Sequence, residues 1–165
     1  MKKGIKTLVI AAAVTVVGIL VVFNSNSLKQ QEDMTEKLQL SFVVNNEEKV
    51  CRFNEYSEDF TVFDTKMRRR NGDVSDKSYG GIRLKTILET MSVNVTDSLV
   101  VNVVCADRYE IRLTGEEIIT ENNVWLVTQE NGKELTEGNF MLVINNDEFS
   151  TRWAQNVVQV KIIEE

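Results

Sequence analysis

The 165-residue chain contains no histidine. That absence removes the commonest general base, the commonest metal ligand and the usual switch for pH near neutrality. Without His there is no Ser–His or Cys–His pair, so hydrolases of that design are excluded. Proline is absent too, so turns must be built from Gly, Asn and Asp. Cysteine is reduced to Cys51 and Cys105. No spaced-glycine loop cradles a phosphate, because Gly80-Gly81 stands alone before an apolar helical pattern.

Charge is missing from one stretch in particular. Residues 8–23 form an uncharged apolar-to-small run behind Lys2, Lys3 and Lys6. Counted from Ile5, with Lys6 reaching toward the headgroups, the segment has 19 residues, enough to span a bilayer. Lys-rich flanks stay cytoplasmic, which puts the bulk of the chain outside. The reading is a single-pass, membrane-anchored extracytoplasmic protein. Ser25-Asn26-Ser27 also resembles a signal-peptidase site, and cleavage there would make the protein secreted. The chain thus divides into an anchor or signal segment (1–27), a polar tether (28–37) and a domain (38–165).

From residue 28 onward lie all 25 acidic residues but only 16 of the 19 basic ones, a net charge of −9. A surface that acidic repels phosphate backbones and argues against nucleic-acid binding. Its one basic cluster is Arg68-Arg69-Arg70. Three Arg on a loop can grip a phosphate or carboxylate, or can sit solvated beside Asp64, Asp73 and Asp76. In an exported chain Cys51 and Cys105 are candidates for a disulfide, with small apolar filler as the competing role. Glu116-Glu117 looks like a carboxylate pair, but adjacent helical residues point about 100° apart. With Thr114 they form a capping box instead. Trp125 and Trp153 read as packing residues.

The apolar periodicity predicts a hairpin around Asn45-Asn46, a short strand at 60–63 and a charged loop over 64–78 closed by Gly80-Gly81. A three-turn helix follows over 82–91, then strands at 99–105 and 109–113 and a short helix through Ile119. Strands at 124–129, 141–144 and 157–163 complete the chain, with a turn at Asn131-Gly132. The sum is α+β: a strand-rich mixed sheet or barrel-like domain with two or three short helices, preceded by one N-terminal transmembrane helix.

Taken in order, five segments resemble the oxidoreductase molybdopterin-binding domain, the sulfite-oxidase-type fold. The run YGGIRLKTIL (79–88) is similar to that family's "w-x-G-v-x-L-x-x-L-L" entry. Residues 101–113, with Asp107-Arg108-Tyr109, resemble "v-x-s-x-D-G-Y-x-x-x-l". LVTQENGKEL (126–135) and GNFMLV (138–143) resemble "l-A-y-x-x-n-G-x-p-L" and "G-P-l-R-L-v". Trp153, Val157, Val158 and Ile162 resemble the closing "r-w-v-k-x-v-x-x-I".

The resemblance implies a molybdopterin site, with Arg68, Arg69 and Arg70 the candidates for its phosphate. The departures bear on activity. The family's metal-ligating Cys precedes the "G-v-x-L" entry, where this chain reads TVFDTKMRRR (61–70) without Cys. Cys51 precedes that region and Cys105 falls in the "D-G-Y" strand, while Met141 replaces the Arg of "G-P-x-R-L". Neither Asp64 nor Thr65 substitutes for a soft thiolate. The expectation is a short, divergent, non-catalytic member without cofactor, binding a small molecule or a protein partner. The alternative is an active molybdenum enzyme with atypical metal ligation. A surface assembly module that kept the fold for its rigidity is a third reading.

Overall fold

Asn45 and Asn46 both take left-handed backbone angles, φ 52° and 62°. That pair makes a two-residue turn of the sort that matches the strand twist, joining β1 (Gln39–Val44) to β2 (Glu47–Arg52). The same device recurs: five of the seven non-Gly residues with positive φ among the described residues are Asn. A chain without proline has made asparagine its turn residue.

The computed structural model describes residues 38–135 and 140–163, all within a unit running Leu38–Glu165. The expected anchor and tether lie outside the described residues. Among those described, no helix is long and apolar enough to cross a membrane.

Beyond β2, a 3-10 turn (Phe53–Tyr56) leads to β3 (Thr61–Arg68) and β4 (Val74–Arg83). These two strands pair without interruption from Thr61↔Gly81 to Arg68↔Val74. The expected loop over 64–78 is therefore corrected to a long hairpin with a tight tip. Its strand period was hidden because the alternation is polar: Phe63, Thr65 and Met67 are half-buried while Val62, Asp64, Lys66 and Arg68 face solvent. Nor do Gly80-Gly81 close a loop. They lie inside β4 at a register shift against the neighbouring strand. A Cβ on Gly81 would stand 2.3 Å from the Leu126 carbonyl oxygen, so glycine is what lets the two backbones approach.

Helix α1 (Leu84–Thr90) is shorter than expected, because Ile82 still belongs to β4. Strands β5 (Val100–Cys105) and β6 (Glu110–Thr114) follow, then α2 (Gly115–Ile119). The Thr114–Glu117 capping box forms as expected. The remaining strands are β7 (Val124–Glu130), β8 (Lys133–Glu134), β9 (Met141–Ile144) and β10 (Val157–Ile163), with a 3-10 turn (Ser150–Arg152) before β10.

One sheet runs β2-β1-β10-β5-β6 and the other β3-β4-β7-β8, with β9 also paired to β7. Among the described residues only β1 and β10 pair in parallel, so the first sheet is mixed. The fold of the described residues is strand-rich α+β with two short α-helices and open sheets. Phe42, Val103 and Val160 from the first sheet meet Ile82, Leu126, Leu142 and α1's Leu84, Ile87 and Leu88 in one buried cluster. A smaller cluster holds Tyr79, Trp125, Val127, Met141 and Val143. Because β7 and β9 feed both clusters, residues 124–127 of β7 and the whole of β9 read as continuous apolar runs. Trp125 is buried as expected, its ring stacked 4.3 Å from that of Phe63. Trp153 touches both clusters and donates its Nε1 proton to the Ile144 carbonyl at 2.8 Å.

Candidate functional site

Three chain segments converge on a cleft of about 570 Å³. The first is the tip of the β3–β4 hairpin. There the Arg69 N–H donates to the Asp73 carbonyl (2.9 Å) and Gly72 N–H to the Arg69 carbonyl (3.0 Å), closing the turn. Asn71 Nδ2 donates to Asp73 Oδ2 at 2.7 Å, and Asn71 Oδ1 accepts from the Asp73 N–H at 3.1 Å. This small network presents the exposed Arg69 and Arg70 at one wall of the cleft.

The second segment is the β5–β6 turn. Cys105 N–H donates to the Tyr109 carbonyl and Arg108 N–H to the Cys105 carbonyl, both at 2.9 Å. Asp107 Oδ1 accepts from the Tyr109 N–H at 3.0 Å. Arg108 sits at φ 71°, a left-handed angle that costs a non-glycine residue about 1 kcal/mol or more. It occupies the glycine position of the "D-G-Y" pattern, and the backbone bends there as a glycine would. The third segment is the stretch before β10. Ser150 Oγ donates to the Arg68 carbonyl (2.9 Å), and the Ala106 N–H to the Asn156 carbonyl (2.9 Å). Trp153 and Met141 supply the apolar lining.

The arginine triplet is thus split. Arg69 and Arg70 face the cleft, whereas Arg68 ends β3 and is tied in through its backbone carbonyl. Asp107 and Tyr109 also line the cleft, together with Asn156, whose buried Oδ1 accepts no hydrogen bond. Sequence reading placed Asp107 and Tyr109 in a family pattern without assigning them to a site. Their signal was the Asp-x-Tyr spacing ahead of a strand. Asn156 carried none.

The two cysteines are free. The expected candidate disulfide is corrected, for a geometric reason: β2 and β5 stand three strand intervals apart in one sheet. At about 4.8 Å per interval that is roughly 14 Å, twice the reach of a disulfide. Cys51 is buried beside Tyr56, and burial pushes its thiol up to about 11, against a lowering by the Tyr56 hydrogen bond. Cys105, 4 % exposed, lines the cleft. Burial, and then the charge of Asp107, push its thiol up as well, so the sulfur stays protonated. Glu116 and Glu117 do not act as a pair. Glu117 caps α2 and accepts from Arg152, while Glu116 is exposed.

A molybdopterin group would need an anion clamp and a soft metal ligand. The guanidinium groups of Arg69 and Arg70 suit the phosphate. The metal has no match: Cys105 is a buried neutral thiol, and no three His, Cys, Asp or Glu side chains among the described residues are grouped to hold an ion. The residues present fit an anion and do not fit the metal.

No family model matches the chain, and no curated protein matches it. Among solved structures it is similar to the sulfane dehydrogenase SoxCD from Paracoccus pantotrophus, with a TM-score of 0.61 and 14 % identity. The likeness covers 77 % of this chain but 38 % of that one, so this chain spans well under half of the enzyme chain's length. At that identity it is the fold that is shared. The domain shares the fold of that part of the sulfane dehydrogenase structure.

Proposed function

We propose that this chain is an exported, membrane-anchored domain that binds a small anionic ligand in the cleft and performs no oxygen-atom transfer of its own. One observation carries the reading: Arg69 and Arg70 flank a cleft in which the lining thiol, Cys105, is buried and protonated. Two guanidinium groups favour a carboxylate or an oxyanion. A neutral thiol offers neither a metal ligand nor a nucleophile at neutral pH. The charge-free run over 8–23 supports the anchor, and the net −9 beyond it supports a partner other than nucleic acid.

Two assays on the full-length chain test this. Protein purified from cells competent in molybdenum-cofactor synthesis is analysed for molybdenum, tungsten and pterin. The expected content is far below one per chain, and near-stoichiometric metal overturns the non-catalytic reading. Titration with sulfate, thiosulfate and acetate then asks whether the cleft takes an anion. Saturable binding, weakened tenfold or more by Arg69→Ala with Arg70→Ala, is expected, and no saturable binding would remove the ligand. The fold shared with SoxCD favours a second reading, an active molybdenum-cofactor-dependent oxidoreductase with atypical ligation. The metal assay separates the two.

A further inference from the structure

We infer that the free edge of β3 pairs antiparallel with β3 of a second copy of this chain, joining two five-stranded sheets into one. β3 is an outer strand, and among the described residues no strand pairs with its far side. The hydrogen bond it makes there is at its end, where the Arg68 carbonyl accepts from Ser150 Oγ, so the pairing centres within residues 62–66. An edge of eight residues is long, and it carries no proline and no bulge to blunt it.

The charge pattern selects the partner and the register. With Thr65 opposite Thr65 of the second copy, Asp64 faces Lys66, Phe63 faces Met67 and Val62 faces Arg68, each pair occurring twice by symmetry. Sliding the strands by two residues sets Asp64 against Asp64, or Lys66 against Lys66. Both slips are repulsive. Slips by one residue would put the two apolar faces on opposite sides of the joined sheet. One register therefore satisfies both charge and burial.

Burial points the same way. Phe63 and Met67 are half-buried side chains packed at the rim of the small aromatic cluster. In the paired arrangement each meets the other's counterpart, a sulfur–aromatic contact, and the two small clusters become one. Lys66 is free to take part, since its side chain is 61 % exposed and its approach to Asp76 is a loose 4.0 Å. Pairing would set Asp76, Lys66 and the second copy's Asp64 in an alternating row across the sheet face.

The test places a cysteine on the symmetry axis of the full-length chain. Opposed Cα atoms of an antiparallel pair stand about 4.5–5.5 Å apart, within disulfide reach. Thr65→Cys is expected to give a covalent dimer under mild oxidation. Thr61→Cys should not, because its copies would lie about 26 Å apart. The two natural thiols, 1 % and 4 % exposed, stay silent. Asp64→Lys is expected to weaken association about tenfold by sedimentation, and adding Lys66→Asp in the same chain to restore it. No dimer from Thr65→Cys, equal cross-linking at position 61, or indifference to Asp64→Lys would overturn the inference.

Discussion

Arg152 Nη2 donates to Glu117 Oε1 at 2.6 Å, and the same guanidinium clasps Asp147. Glu117 in turn accepts from the Thr114 N–H at 2.8 Å, so one carboxylate joins the cap of α2 to the segment that forms the third wall of the cleft. The link spans 35 residues of sequence. Arg152→Ala would leave Asp147, whose side chain is 12 % exposed, without its cation. A loss of about 2 kcal/mol is expected in urea unfolding at pH 7.

Acid should release the same link. Burial disfavours the Glu117 carboxylate, but the Arg152 and Thr114 hydrogen bonds outweigh it and hold its pKa below the usual value. The unfolded chain, with its carboxyl near 4.3, then binds the proton more readily. The stabilisation is complete above that value and is lost as pH falls through the lower folded one. Glu117→Gln should flatten the acid limb of stability measured between pH 5 and pH 3, while lowering stability at pH 7. An unchanged acid limb would remove Glu117 from the account.

Both thiols should be present and unreactive. Cys51 and Cys105 are buried, and burial pushes both upward, Cys51 to about 11. The folded protein is expected to resist alkylation at pH 8 and to show two reactive thiols per chain after denaturation. Its intact mass should not change on reduction.

Gly81→Ala should be among the most damaging single substitutions. The new methyl would meet Leu126 O at 2.3 Å and Val127 Cα at 2.6 Å, both backbone atoms of β7 that cannot swing aside. A cost of about 3 kcal/mol or more is expected, read as a lowered urea midpoint. Gly72→Ala meets no atom within 4 Å and serves as the comparison, although its φ of 93° brings a strain of its own.

Replacing Arg68, Arg69 and Arg70 together by Ala should leave the unfolding midpoint unchanged. Their side chains are exposed, and the bond that ties the hairpin end to Ser150 runs through the Arg68 backbone carbonyl. Loss of the fold would show that the tip is structural and not a ligand grip.

Where side-chain pattern and backbone agree, the sequence was legible. Asn45-Asn46 and Asn131-Gly132 marked their hairpins, because few other residues tolerate left-handed angles. Thr114 and Glu117 announced a helix start through a reciprocal pair of local hydrogen bonds. The β3–β4 hairpin was missed because half of its side chains face solvent along most of its length, so no apolar alternation betrays it. The cleft was illegible for another reason. Arg69, the neighbours Asp107 and Tyr109, and Asn156 come from three places dozens of residues apart, and the meeting depends on β5 lying beside β10.

Composition and local pattern alone determined the exclusion of His-based chemistry, the acidic surface and the strand-rich class. These follow from residue counts and from contacts within a few positions of chain. Only the tertiary structure decided that two of three arginines share a cleft, that the cysteines cannot meet, and that Arg152 locks onto α2. Each of those depends on strand order in a sheet. Strand order is set by which apolar faces bury together across the whole chain, and no short window of sequence carries that information.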